Sequence, residues 1–497
     1  MNNLLPLGLG AWIFISCYLL SLLIIGWYAK KSRKENTLND FYLAGGGLGF
    51  GVLFLTFFAT QYSGNTFLGF TGATYRIGYS WILSLHFMTS IVVCYLLFAP
   101  KLHKLSKKQK FITPPDFIKY RFKDKLLTLL VTIIMLLVLS NYLLAQLMAM
   151  GRVMQGITGS EYFYSFGVVS LAFIIVIYGT MGGLRAVAWT DAIQGIILII
   201  GFSVLIIILF LKFGSLIDAT NIILEQDKLN NTRKALIPDA QTCRQWLSYI
   251  IIVGFGLSLY PQAIQRIYAA KNLQTLKRSL AIMSFIPIPI MMIILISGIM
   301  ALAHINGLEG VATDQVFGMI LREIQNYSII GYGVSIIILS AILAAMMSTA
   351  DSALLSISSM FTKDIYFDHY DKEASEKKLT NIGKFCSWVF LIVLIFLAII
   401  LKNNFSLVAL MDRKMDLLIQ LAPAFILGIH YKGLKAKPIF WGIIIGTLLA
   451  LILAFYDFSF TQKGKVYGFH PGLIAIIPNV FIAIIGSYYK KIFIKFT

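Results

Sequence analysis

Between Ala344 and Ser359 the chain reads AAMMSTADSALLSISS. Ala345, Ser348, Thr349 and Ser352 stand at i, i+3, i+4 and i+7, which places them on one helical face, and Asp351 lies on its flank three residues beyond Ser348. That face is rich in oxygen. Sodium is a hard cation and, like calcium, prefers hydroxyl, carboxylate and carbonyl oxygens to nitrogen or sulfur. Two hydroxyls one residue apart, facing carbonyls released from a broken helix, would make a mostly neutral cage. Ser348, Asp351 and Ser352 form a second triplet that continues one turn further, so two adjacent ion sites are geometrically possible. The competing use of small polar residues is close packing and hydrogen bonding between helices. A carboxylate in an apolar segment costs on the order of 3 kcal/mol to insert and calls for a partner or an ion, which argues for a working role for Asp351.

The released carbonyls are expected from two interrupted segments. The first reads FFATQYSGNTFLGFTG, with Thr60, Gln61, Ser63, Asn65 and Thr66 around Gly64, and the second reads GFGLSLYPQAIQR, with Pro261 deep inside it. Proline removes a backbone donor and glycine weakens a helix, so carbonyls near these points, those of Ala59 and Tyr62 among them, lose intrahelical partners. Kinks packed against neighbours are the plainer alternative. A second carboxylate, Asp191, opens the stretch TDAIQGIILI. It caps a helix beside Thr190, pairs with Arg185, or completes the second ion cage.

These residues sit in a chain of 497 residues, 58% hydrophobic and only 13% charged, against about 25% charged in soluble domains. Apolar windows long enough to cross a bilayer recur throughout, which predicts an all-α integral membrane protein of one domain. Thirteen spans are expected, near residues 8 to 29, 47 to 76, 78 to 100, 126 to 154, 162 to 182, 186 to 212, 243 to 268, 276 to 304, 329 to 360, 379 to 401, 404 to 430, 438 to 457 and 471 to 489. The first, followed by Lys30, Lys31, Arg33 and Lys34, is expected to remain as a membrane helix instead of being cleaved as a signal peptide.

The formal charge of +20 is spread over short stretches, not one basic face, so nucleic acid is not an expected partner. Residues 101 to 125 hold nine Lys or Arg against two Asp, and 30 to 34, 271 to 278, 363 to 384, 432 to 437 and 490 to 495 are basic as well. All fall on one side of a thirteen-helix count. The positive-inside rule makes that side cytoplasmic, with the N-terminus outside, the C-terminus inside and the cell membrane as location. The four cysteines, Cys17, Cys94, Cys243 and Cys386, follow no disulfide or metal spacing. The two interruptions lie five spans apart, as two inverted five-helix repeats would place them, about 41–212 and 243–430, with a helix before them and two after, about 438–489.

DFYLAGGGLG, YGTMGGLRAVAWTDAIQ, YPQAIQRIYAAKN and AAMMSTADSALLSISSMFTKDIY, in this order and spacing, resemble the sodium/solute symporter family. The resemblance implies a leucine-transporter-type fold. It also implies a common sodium site from the Ala59, Tyr62 and Ala345 carbonyls and the Ser348 and Thr349 hydroxyls, and a second from Asp191, Ser348, Asp351 and Ser352. Asp351 replaces a serine of the sialic acid transporters, so that second site would be stronger, differently coordinated or proton-linked. The family fold places the solute beside the broken first segment, which nominates Gln61, Ser63, Asn65 and Thr66, with Tyr260 and Gln262 from the second. His86 either faces the same cavity or is a packing residue. The arginine of sialic acid transporters is absent around Ser140 to Gln146, and the glutamate of sodium/galactose transporters aligns near Leu85, which argues against both solutes.

Asp412, Arg413, Lys414 and Asp416 form either a solvated helix end or an outer vestibule wall in which Arg413 or Lys414 steers a carboxylate. The expected activity is sodium-coupled symport of a small organic solute into the cell by alternating access, the solute being an organic acid or amino acid. Sodium is the coupling ion, no organic cofactor is implied, and a monomer embedded in lipid suffices. A proton-coupled carrier is the alternative, as is sodium symport of a sugar, vitamin or choline-like solute. A channel would need a continuous polar pore. An enzyme is not expected, because no phosphate-binding loop, HExxH pair or other compact catalytic cluster occurs.

Overall fold

The computed structural model describes residues 8–493 except 33, 34, 36, 457 and 463. Arg33 and Lys34 lie outside the described residues, as does the end of the 490 to 495 basic run. Each expected window is helical. The unbroken ones include Gly8–Lys31, Lys125–Thr158, Tyr162–Gly182, Leu184–Phe213, Ile329–Met360, Glu376–Ile400, Ala436–Phe455 and Pro471–Phe493.

By length and apolarity alone, ten helical stretches among the described residues can cross a membrane, or eleven when the bent pair Ala240–Ser258 and Pro261–Ala269 counts as one. The count falls below thirteen for physical reasons. The second expected span is divided into Phe50–Gln61 and a π-helical turn, Asn65–Gly69, that runs on through Phe70–Ile77 and a 3-10 turn into Leu83–Gln109. The eleventh, beginning at Leu407–Leu418, carries Asp412, Arg413, Lys414 and Asp416. The connections also contain structure that the apolar windows do not reveal: helices Pro115–Phe122, Leu216–Asn230 and Val316–Tyr327 and a hairpin pairing Thr461–Gln462 with Lys465–Val466.

Local chemistry sets the ends. Asp124 accepts the Leu127 N–H at 2.8 Å and starts Lys125–Thr158, and Ser328 accepts the Gly331 N–H at 3.0 Å and starts Ile329–Met360. Gly183, at φ +60°, turns the chain between Tyr162–Gly182 and Leu184–Phe213, where a Cβ would meet the Phe41 carbonyl at 2.2 Å. Ile329–Met360 is the central element. It is buried without interruption from Ile338 to Met360 and packs against Leu184–Phe213, Lys125–Thr158 and Phe50–Gln61. Large apolar side chains such as Leu96, Ile207, Phe396 and Leu448 are exposed on the outer faces of their helices, as lipid contact requires.

The basic connections gather at one end. Lys119 pairs with Asp368 at 2.8 Å, Arg121 donates to the Gly428 and Tyr431 carbonyls, and His103 bonds the Ala270 carbonyl. At the other end, buried Arg152 donates to Asp314 at 2.6 Å and to the Lys402 and Phe405 carbonyls, while Asp314 also accepts the Leu407 N–H at 2.7 Å. Removing one member of a buried pair strands the other charge, at about 3–5 kcal/mol. Asp314→Ala is therefore expected to lower the thermal unfolding midpoint of the detergent-solubilised protein by several degrees, whereas Lys119→Ala, which exposes no buried charge, is expected to leave it within about a degree.

Candidate functional site

The break after Gln61 is built from diverted amide donors. The Ser63 N–H goes to Thr66 Oγ1 at 3.2 Å, the Gly64 N–H to Gln146 Oε1 at 2.9 Å, and the Thr66 N–H to the Ser63 carbonyl at 2.9 Å. Continued as an α-helix, these three N–H groups would have served the carbonyls of Ala59, Thr60 and Tyr62. The Ala59 and Thr60 carbonyls instead meet the oxygen face of Ile329–Met360. Ser348 Oγ lies 2.8 Å from the Ala59 carbonyl and 3.1 Å from that of Ala345, and Thr349 Oγ1 lies 3.4 Å from that of Thr60. The hydroxyls of Ser348 and Thr349 and the carbonyls of Ala59 and Ala345 thus come together, all fully buried. Tyr62, extended at the break, is buried too.

One turn further along is a buried charge cluster. Arg266, 1% exposed, donates to Asp191 Oδ2 at 2.8 Å, to Ser352 Oγ at 2.6 Å and to Thr56 Oγ1 at 2.8 Å. Thr56 also donates to Asp191. Asp351 accepts from the Tyr178 hydroxyl at 2.5 Å and from Ser352 Oγ at 3.1 Å. The second expected set is therefore contiguous, with a guanidinium touching two of its members. Asp191 is neither a helix cap nor the partner of Arg185. It lies inside Leu184–Phe213, Thr190 bonds back to the Ala186 and Val187 carbonyls, and Arg185 pairs with Asp40 at 2.7 Å. Among the described residues, buried Asp191 Oδ1 has no hydrogen-bond partner.

A cavity adjoins both sets. Thr60, Gln61, Tyr260, Gln262 and Arg266 line it, with Phe57, Ile91, Tyr95, Tyr142, Leu257 and Ala263 as its apolar and aromatic wall. Thr60 Oγ1, Gln61 Nε2, the Tyr260 hydroxyl and both amide atoms of Gln262 are buried without hydrogen-bond partners among the described residues. Buried polar groups are nearly always paired, so unpaired ones converging on this small cavity, of about 20 Å³, mark a place where a polar partner would be satisfied.

Of the solute candidates, Gln61, Tyr260 and Gln262 are on this cavity. Ser63 and Thr66 are buried at the break, where they serve its backbone. Asn65 points along its own helix, with Oδ1 where a Cβ on Gly69 would fall. His86 requires a correction: it is exposed and tilted against Trp246 at 5.2 Å. It precedes cavity-lining Tyr95 by nine residues, which at 100° per residue puts it on the opposite face of Leu83–Gln109.

Thr56, Gln146, Tyr178 and Arg266 were not foreseen as site residues. Arg266 stands inside the quoted YPQAIQRIYAAKN, and a lone arginine in an apolar window was the available signal. Asp412, Lys414 and Asp416 are buried, so they do not form a solvated helix end.

Similarity to known proteins agrees with this geometry. The chain is 28% identical over 488 residues to the osmoregulated proline transporter OpuE of Bacillus subtilis, covering 95% of this chain and 94% of the relative. It is 28% identical over 470 residues to a sodium/pantothenate symporter of Haemophilus influenzae, covering 93% and 92%. Its fold superposes on the substrate-bound, outward-open state of a Na+-coupled sialic acid symporter with a TM-score of 0.75, at 20% identity, over 97% of this chain and 98% of the other. This is the leucine-transporter-type fold of a multi-pass membrane protein. Residues 41–446 match the family model described as "Sodium:solute symporter family", and the chain belongs to that family.

Proposed function

We propose that this chain imports a small organic acid or amino acid together with sodium by alternating access, and that the ion is held between the break at residues 62–64 and the Ser348–Thr349 face. The observation that carries the reading is the approach of Ser348 Oγ to the Ala59 carbonyl, at 2.8 Å, where the backbone donor of that carbonyl has been diverted. The set proposed for sodium is the Ala59, Tyr62 and Ala345 carbonyls with Ser348 and Thr349. Gln61, Tyr260 and Gln262 are proposed to contact the solute, with Ser63, Asn65 and Thr66 shaping the break beside it. Relatives named for proline and pantothenate support an acid or amino acid as solute.

The proposed organisation is a single transporter unit, with inverted repeats over about 41–212 and 243–430 and two helices after them, the N-terminus outside and the basic end of the bundle in the cytoplasm. An ion that favours one conformation by about 1.4 kcal/mol shifts its population tenfold, so sodium binding from outside biases the transporter toward the state that receives solute.

A second reading concerns Asp191, Ser348, Asp351 and Ser352. The unpartnered Asp191 Oδ1 favours a second cation beside Arg266, either sodium or a proton. Uptake into proteoliposomes at constant pH, with sodium replaced by potassium, separates these: sodium symport is expected to stop without sodium, whereas a proton-coupled carrier continues on a pH gradient alone.

Ser348→Ala and Thr349→Ala are expected to raise the sodium concentration for half-maximal uptake by tenfold or more at unchanged membrane abundance. Unchanged sodium affinity in both variants would remove the assignment. If a second sodium binds beside Asp191, uptake is expected to rise with about the square of sodium concentration, and Asp191→Asn to reduce that dependence to first order. First-order dependence already present before substitution would exclude the second sodium.

A further inference from the structure

We propose that Lys414 is the specificity-determining cation of the solute site and binds a carboxylate of the transported molecule. This rests on the symport reading above.

Lys414 lies on Leu407–Leu418 and is 2% exposed. Among the described residues it makes no hydrogen bond and no ion pair. Both carboxylates of its own helix are committed elsewhere. Asp412 accepts from the Tyr249 hydroxyl at 2.7 Å and faces Lys465 and His470 at 4.0 and 3.6 Å. Asp416 accepts the Gly472 N–H at 2.7 Å and Arg413 at 3.2 Å. Arg413, thus paired, is not the free cation.

What Lys414 does have is an aromatic floor. Its ammonium lies 3.7 Å from the centroid of the Tyr142 ring and 5.6 Å from that of Tyr260. Those two rings stack on each other at 4.8 Å, and both wall the cavity described above. The ring faces attract the ammonium but accept none of its three N–H donors in the manner of an oxygen.

The cavity supplies no answering anion of its own, because no acidic side chain is among its lining residues. The unpartnered polar groups there, Thr60 Oγ1, Gln61 Nε2, the Tyr260 hydroxyl and the Gln262 amide, are neutral. The one charged side chain on the cavity wall, Arg266, is already met by Asp191, so a buried lysine with no acceptor beside otherwise neutral hydrogen-bonding groups is complementary to a small molecule that brings one carboxylate and further neutral polar atoms. The carboxylate satisfies the ammonium, and the amide and hydroxyl groups read the remainder.

The test uses the full chain in proteoliposomes under an inward sodium gradient. L-proline and pantothenate serve as carboxylate probes, prolinol and panthenol as their carboxyl-free counterparts, and glucose and choline as neutral and cationic controls. The expected wild type accumulates at least one carboxylate probe and is poorly inhibited by its carboxyl-free counterpart. Lys414→Met is expected to raise KM for that probe at least tenfold and to abolish the discrimination. Lys414→Arg should recover most of the loss. Stabilisation of Lys414→Met by sodium alone, read as a thermal shift, should match the wild type, which separates loss of solute binding from misfolding. An unchanged KM and preference in Lys414→Met would overturn the proposal, as would equal competition by carboxyl-free probes in the wild type. Sodium-driven accumulation of glucose or choline, with neither carboxylate taken up, would overturn it while leaving symport intact. A wild type that takes up no probe and gains no stability from sodium counts against the symport reading itself.

Discussion

Inside a bilayer a peptide carbonyl that loses its helical donor has no water to turn to, and much of the architecture around residues 59 to 66 answers that constraint. The chain leaves the helix at Tyr62, and the N–H groups of Ser63, Gly64 and Thr66 are taken up by Thr66, Gln146 and Ser63. Two of the acceptors so released, the Ala59 and Thr60 carbonyls, face the hydroxyls of Ser348 and Thr349. A continuous helix would have no use for the oxygen face of Ser348 and Thr349. Without that face the break would expose polar backbone to an apolar interior. Each half makes the other tolerable, and together they form an oxygen-lined gap between two helices remote in sequence.

The buried cations show three solutions to the same electrostatic problem. Arg152 divides its donors between Asp314 and two carbonyls that end a loop, a structural arrangement complete in itself. Arg266 meets a carboxylate and two hydroxyls beside the oxygen face of Ile329–Met360, so its charge shapes the field there. Lys414 alone rests on ring faces, with its donors directed to no oxygen. Burial of charge is costly in proportion to how incompletely it is met, and these three cations are met to three different degrees.

Much of this was legible in the sequence. Apolar length located the ten or eleven stretches among the described residues that can cross a membrane, because lipid imposes the same requirement on each, and the i, i+3, i+4, i+7 pattern indicated which face of Ile329–Met360 carries oxygens. The glycine and proline interruptions located both breaks. Side-chain partnerships across helices were less accessible. Asp191 has Arg185 six residues before it, yet its partner is Arg266, brought in by the turn at Tyr260 and Pro261. His86 lies close to the cavity in sequence and on the far face of its helix in space. Asp412, Arg413, Lys414 and Asp416 read as a charged helix end, but packing against Ala240–Ser258, Lys125–Thr158 and Pro471–Phe493 buries three of them.

The guanidinium of Arg266 belongs to Pro261–Ala269 and is bonded to Phe50–Gln61 through Thr56, to Leu184–Phe213 through Asp191 and to Ile329–Met360 through Ser352. One side chain thus acts as a rivet through four membrane segments, fastened where solvent cannot lubricate its release. Any rearrangement that pulled those segments apart at this depth would strand a bare charge in hydrocarbon. In the structure the four segments are therefore held together at this level by one charged side chain whose partners come from three other helices.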